Sequence, residues 1–205
     1  MLYGASSVLI LGTSHVGKST CARELSDVVG WPVISTDKLA RHPGRPWTGV
    51  PAPVTEFYLN LSDDAVYWFL RVHHENMRPV IRTTIQNARK RGGFILEGAA
   101  LRPEFFVDWE VSDALAVCLH ADETFLRDRI SAGSQYSKRS KETKLAIDMF
   151  IERSLRENAA LVKAAKQHQL KLIDVGASDT GISVAMHLVT LLAKAQAQQA
   201  EENRQ

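Results

Sequence analysis

Apolar residues in this chain fall into short unbroken stretches separated by longer amphipathic ones. Residues 6–11, with Val8-Leu9-Ile10-Leu11, residues 93–98, with Phe94-Ile95-Leu96, and residues 114–120, with Leu115 to Leu119, are continuous rather than alternating. That is the pattern of parallel strands covered on both faces. Pro32-Val33-Ile34-Ser35 and Leu170 to Val175 read as two further strands. Between them apolar residues recur at helical spacing. Cys21, Ala22, Leu25, Val28 and Val29 share one face, closed by Gly30. A second helix starts at a Ser62 cap with Ala65, Val66, Phe69, Leu70 and His73 as its inner face. Pro79 is expected to break or restart it, and Val80, Ile81, Thr84, Ile85 and Ala88 continue the stripe to Gly92. Helix 142–167 carries Leu145, Ile147, Ile151, Leu155, Ala159, Leu161 and Val162, and a last helix starts near Thr180. Five strands separated by helices predict an α/β sandwich of three layers around a parallel sheet. Residues 1–192 read as one domain, and the Ala/Gln/Glu-rich stretch 193–205 as a polar tail.

The first strand runs straight into Gly12-Thr13-Ser14-His15-Val16-Gly17-Lys18-Ser19-Thr20, and a helix follows. This is G-x-x-x-x-G-K-[ST] between strand and helix, the setting in which it makes a phosphate loop. Such a loop turns its backbone N–H groups inward around a polyphosphate, and the new helix adds its N-terminal dipole. The expected nucleotide-binding residues are 12–20. Lys18 would reach the β- and γ-phosphates, and the Ser19 hydroxyl would ligate Mg²⁺.

Further chemistry sits at the ends of later strands. Asp37 follows the second strand, where open α/β sheets bind ligands, and is a candidate base toward an acceptor hydroxyl; the bland alternative is that Thr36 or Asp37 caps a short helix 38–41. Segment 41–53 holds four of the chain's prolines and reads as a loop. Its Arg41 and Arg45 could hold an anionic substrate bidentately, while Trp47 could simply pin it to the body. Glu97 ends the third strand as a carboxylate suited to orienting Mg²⁺ or to binding substrate, and Gly98 would admit a ligand closely. Arg82 is a further substrate candidate among arginines that otherwise read as a solvated face. His73-His74-Glu75 suggests a metal, but adjacent helical positions diverge by about 100° and serve one ion poorly. After the fourth strand, Arg127 and Arg129 precede the polar, basic segment 131–142, which shows no core pattern and reads as a lid closing over phosphates. Gly176-Ala177-Ser178 would border a nucleotide base.

Composition changes this picture little. A chain of 205 residues with 45% hydrophobic content supports a single substantial core. A net charge of +2 makes a nucleic-acid partner unlikely on electrostatic grounds. Cys21 and Cys118 lie in apolar patterns with no metal or redox spacing, as buried thiols in a reducing compartment do. No apolar run is long enough for a leader or a membrane span, so a cytoplasmic enzyme without a membrane partner is expected.

The loop, Asp37 after the second strand, Glu97 after the third and the arginines after the fourth resemble the small P-loop kinases, the group of gluconate, shikimate and nucleoside monophosphate kinases. Ile95-Leu96-Glu97-Gly98, and Phe125 to Arg129 through Ser134-Gln135-Tyr136 to Phe150-Ile151-Glu152-Arg153-Ser154-Leu155-Arg156, look similar to 2-phosphoglycerate kinase-like proteins. The resemblance implies strand order 2-3-1-4-5 and transfer of the γ-phosphoryl of ATP, with Mg²⁺, to a hydroxyl of a small metabolite, and the arginines around 41–45 and at 82 favour an anionic one. Carried over, Lys18, Asp37, Arg127 and Arg129 are the catalytic candidates, Ser19 and Glu97 the metal candidates. Asp37, Arg41, Arg45, Arg82 and Glu97 are the substrate candidates. Two departures matter. His15 stands where these kinases often have a glycine, and the Gly-rich substrate motif of shikimate kinases is not evident after the third strand, which disfavours shikimate. A phosphotransferase acting on an antibiotic or a polynucleotide 5′-hydroxyl shares this core, and a nucleotide-dependent regulatory switch is the alternative outside catalysis.

Overall fold

A computed structural model describes residues 6–40, 44–47, 49–109 and 113–202, with the side chains of 196 and 198–202 left aside. Arg41 lies outside these residues. Among them, the chain runs β1 (Ser7–Leu11), α1 (Lys18–Val29), β2 (Val33–Ser35), α2 (Ala52–Asn60), α3 (Asp63–Arg89), β3 (Phe94–Glu97), β4 (Ala114–His120), α4 (Glu123–Ser134), α5 (Lys141–Gln167), β5 (Lys171–Asp174) and α6 (Gly181–Glu202). The strands form one parallel sheet in the order β2-β3-β1-β4-β5, as the resemblance implied.

Alternate side chains of a strand point to opposite faces, and β1 shows what that does here. Val8 and Ile10 join Cys21, Ala22 and Leu25 of α1 and Ala185 and Leu188 of α6. Leu9 and Leu11 join Met77, Ile81 and Ile85 of α3 and Leu161 and Ala165 of α5. The sheet is therefore covered on both sides, which is why β1 is apolar throughout instead of alternating. Registers align the carboxyl ends: Ile10 and Ser35 both lie opposite Glu97. Loops leaving β1, β2 and β3 thus open at one edge of the sheet.

Local signals explain most of the helix ends. Gly30 takes φ 73° and its N–H donates to Ser26 O, closing α1. Ser62 Oγ accepts from Ala65 N at 3.2 Å to open α3, and Asp122 Oδ1 accepts from Phe125 N at 2.8 Å to open α4.

Several expectations are corrected. Pro79 neither breaks nor restarts α3, which is continuous through it. The carbonyl that loses its N–H partner belongs to Glu75, and both residues are exposed, so water can satisfy it. The inner face of α3 is Val66, Tyr67, Leu70, His74 and Met77, whereas Ala65, Phe69 and Val80 face outward. The prolines at 51 and 53 start a helix, α2, instead of holding a loop, because a first turn needs no N–H from them. A 3-10 turn spans Thr36–Lys38 with no side-chain cap, so neither Thr36 nor Asp37 acts as one. Segment 131–142 is mostly helical: α4 runs to Ser134 and a 3-10 turn spans Tyr136–Lys138. Arg139 Nε donates to Ser134 O at 2.6 Å, and Tyr136 Oη donates to Asp148 at 3.0 Å. Residues 193–202 continue α6.

Candidate phosphate-transfer site

The loop after β1 is shaped by three residues at positive φ: Gly12 at 144°, His15 at 64° and Gly17 at 108°. Gly12 passes so close to β4 that a Cβ there would lie 2.6 Å from Leu119 O. Thr13 Oγ1 donates to Ser154 O at 2.8 Å and ties the loop to α5. Lys18, the first residue of α1, folds back so that Nζ donates to Thr13 O at 2.7 Å. Burial pushes the Lys18 pKa below its ordinary value, and the carboxylates of Glu97 and Asp37 oppose that shift. Ammonium and two carboxylates therefore form one local charge cluster at the ends of three strands.

A cavity of about 240 Å³ opens over the loop. Of the residues nominated from sequence, Ser14, His15, Gly17, Lys18, Ser19, Thr20, Asp37, Arg45, Glu97 and Arg129 line it. Gly12, Thr13 and Val16 are buried within the loop. Arg82 is exposed on α3 and does not line the cavity. Arg127 is turned to α5, where it pairs with Glu152 at 2.8 Å. Residues two apart on a helix diverge by about 200°, so the geometry that brings Arg129 in takes Arg127 out.

Further residues line the cavity beyond those nominated from sequence for the site, and two of them, Leu70 and His73, lie on the inner face that helical spacing assigns to α3. Arg153 of α5 lines the cavity, with its guanidinium 4.3 Å above the Phe150 ring and Nη2 3.5 Å from Ser14 Oγ. His73, His74, Leu70 and Met77 of α3 line it opposite the loop. Arg45, Arg129 and Arg153 thus give one cavity three guanidinium groups beside Lys18. Behind this wall, Arg102 is buried and ion-paired with Glu157 of α5, and its Nε donates to Glu104 at 3.2 Å. His74 Nδ1 lies 3.9 Å from Glu157. Burial pushes the Glu157 pKa up, and Arg102 pulls it back down. Gly98 makes room for Thr36, not for a ligand: a Cβ there would fall 1.7 Å from Thr36 Oγ1.

A second cavity of about 630 Å³ lies on the other side of the loop, lined by Val16, Phe125, Ala177 and Val184 with Asp128 and Asp179. Gly17, Thr20 and Arg129 line both cavities, so the two meet across the start of α1. The Arg129 guanidinium is 5.3 Å from the Phe125 ring centroid, leaving a flat, partly apolar slot between α4 and the loop after β5.

The donor set suits a hard cation. The Ser19 hydroxyl and the Glu97 and Asp37 carboxylates are oxygen donors at one rim, and Mg²⁺ is commonly held by one or two carboxylates with water and phosphate completing its shell. Among the described residues no group of three or more His, Cys, Asp or Glu could hold a metal by itself.

His15 is the site's unusual ionisable group. Burial first, then the charges of Arg45, Lys18, Arg129 and Arg153, lower its pKa from 6.5 to about 4. Between these values the unfolded chain binds a proton that the folded chain refuses. Stability is therefore full above pH 6.5 and falls as pH drops toward 4. The loss amounts to about 3 kcal/mol at most for a shift of this size. His15→Asn is expected to narrow the gap between urea midpoints measured at about pH 4.5 and about pH 7.5. An unchanged gap would show that His15 titrates normally in the folded chain.

No family model and no curated protein sequence matches the chain. Solved structures do. A gluconokinase from Sinorhizobium meliloti aligns over 97% of this chain and 97% of its own, with a TM-score of 0.52 and 15% identity. A shikimate kinase from Bacteroides thetaiotaomicron aligns over 92% and 98%, with a TM-score of 0.53 and 16% identity. The fold is that of the small P-loop kinases. A tRNA isopentenylpyrophosphate transferase from Bacillus halodurans aligns over 98% and 100%, with a TM-score of 0.56 and 12% identity, so the architecture also serves another transferase. Among the described residues no helix is long and apolar enough to cross a membrane.

Proposed function

We propose that this protein is an ATP- and Mg²⁺-dependent kinase that transfers the γ-phosphoryl group to a hydroxyl of a small, anionic metabolite. The observation that carries this reading is the single cavity in which Lys18, Ser19, Asp37 and Glu97 face Arg45, Arg129 and Arg153. A triphosphate tail lies along the loop with its nucleoside in the second cavity, where Phe125 and Ala177 flank the base. Lys18 and Arg129 neutralise the tail, while Arg45 and Arg153 hold the acceptor's negative group. Asp37 orients the acceptor hydroxyl. The hydroxyl oxygen forms the bond to the γ-phosphorus, the bond from that phosphorus to the bridging oxygen of ADP breaks, and the hydroxyl proton passes to Asp37. Mg²⁺, held through Ser19 and Glu97, supplies charge neutralisation on the phosphates when bound. The rest of the rate comes from positioning, because phosphoryl transfer asks little covalent chemistry of a protein.

The test is a transfer screen over sugar acids, phosphoglycerates, nucleosides and aminoglycosides, reading ADP and the phosphorylated product together. Asp37→Asn is expected to lower kcat by about a hundredfold to a thousandfold while nucleotide affinity stays within about threefold. ADP formation indifferent to every acceptor would remove the kinase reading. An arm with tRNA and isopentenyl pyrophosphate separates it from the chemistry named for the Bacillus halodurans enzyme.

A further inference from the structure

His15 sits in the middle of the phosphate loop, at the wall of the cavity, and its ring meets aromatic side chains from outside the loop. The ring centroid lies 5.7 Å from that of Trp47 and 5.8 Å from that of Phe150, and the latter two meet edge-on at 4.9 Å. On another side is Gly133 of α4, where a Cβ would come within 3.5 Å of His15 Nε2. Segment 44–47, the last turn of α4 and the middle of α5 therefore converge on one imidazole. The segment is also held by Tyr58 Oη, which donates to Gly44 O at 2.9 Å, and it carries Arg45 into the cavity. Trp47 is buried and does not itself line that cavity. The His15 backbone sits at φ 64°, in the left-handed region that the turn of the loop requires and that Asn, Asp and His enter more readily than other side chains.

We propose that His15 is a positioning residue that couples the phosphate loop to the acceptor-side segment 44–47. The inference rests on the kinase reading of the cavity. Phosphates seated in the loop fix its backbone and hence the imidazole. The imidazole fixes Trp47 against Phe150, and Trp47 sets the backbone that aims Arg45 at the acceptor. Coupling of this kind is reciprocal: if nucleotide in the loop orders the segment, an ordered segment tightens nucleotide binding, so disturbing Trp47 must weaken binding in the loop.

A double-mutant cycle tests it. The dissociation constant for the magnesium complex of a non-hydrolysable ATP analogue is measured by calorimetry in the wild type, Trp47→Leu, His15→Asn and the double variant. Trp47→Leu is expected to weaken binding about fivefold or more in the wild type and less than about twofold beside His15→Asn. In the wild type, addition of the analogue should also slow amide exchange at Arg45 and Trp47, and in His15→Asn it should not. An equal Trp47→Leu penalty in both backgrounds overturns the coupling and leaves the kinase reading standing. No heat from the wild type overturns the kinase reading and the coupling together. Asparagine tolerates the backbone at 15. Should His15→Asn nevertheless fail to fold, His15→Gly takes its place in the cycle with the same expected outcomes.

Discussion

Lys18→Ala is expected to lower phosphoryl transfer by about a thousandfold or more, the largest kinetic effect anywhere in the chain. The proposed reaction develops negative charge at the transferring group, and Lys18 is the buried cation at the phosphate loop. Removing it also leaves Glu97 and Asp37 without their ammonium neighbour, so the vacated site repels the anion it should bind. Two effects then add: weaker binding of the triphosphate and lost stabilisation along the reaction. Steady-state rates over a range of nucleotide concentrations separate them, because kcat and kcat/KM should both fall. A variant retaining more than about a tenth of wild-type kcat would place the transferring phosphate elsewhere.

Arg102→Ala is expected to have the largest effect on stability, a loss of about 3–5 kcal/mol, although Arg102 does not line the cavity. The side chain is almost fully buried and shares Glu157 with His74, so its removal strands a carboxylate in the interior. The cost is that of an uncompensated buried charge, not of a missing contact, and this makes a sharper expectation. Arg102→Met combined with Glu157→Gln removes both charges and should recover most of the loss. Urea unfolding of the two variants checks it. If the double variant is as unstable as Arg102→Ala, packing and not charge governs the position.

Sequence made the sheet and the phosphate loop plain for a physical reason: both depend on local features. Val8 to Leu11 is apolar on every position because both faces are covered, and Gly12, Gly17 and Lys18 stand at spacings fixed by one backbone turn. Asp37 and Glu97 could be placed beside the loop from sequence because strand ends in a parallel sheet share an edge. Features set by packing between distant elements were hidden. Arg153 reaches the loop only because α5 lies against it through the bond from Thr13 to Ser154. Polar residues inside the stripe of α5 were the available signal, since Ser154 and Glu157 are buried among Phe150, Ile151 and Leu155. Arg127 and Arg129 could have been separated by helical phase alone. His73 and His74 could not, since both line the cavity and which of them is the more buried depends on where α3 meets the sheet. The helical turns within segment 131–142 were hidden because part of their order comes from single bonds such as Tyr136 to Asp148, which leave no period in the sequence.

The sheet order has a consequence for how this chain emerges from the ribosome. The first strand synthesised, β1, occupies the centre of the sheet, and its two partners begin only at Phe94 and Ala114. Until those segments are made, the most apolar strand has bare hydrogen-bonding groups on both sides, the state most open to wrong pairing. Closure of the core therefore waits for β4 and for the later helices α5 and α6 that cover the two faces of β1, and the phosphate loop that hangs from β1 takes its final shape no earlier.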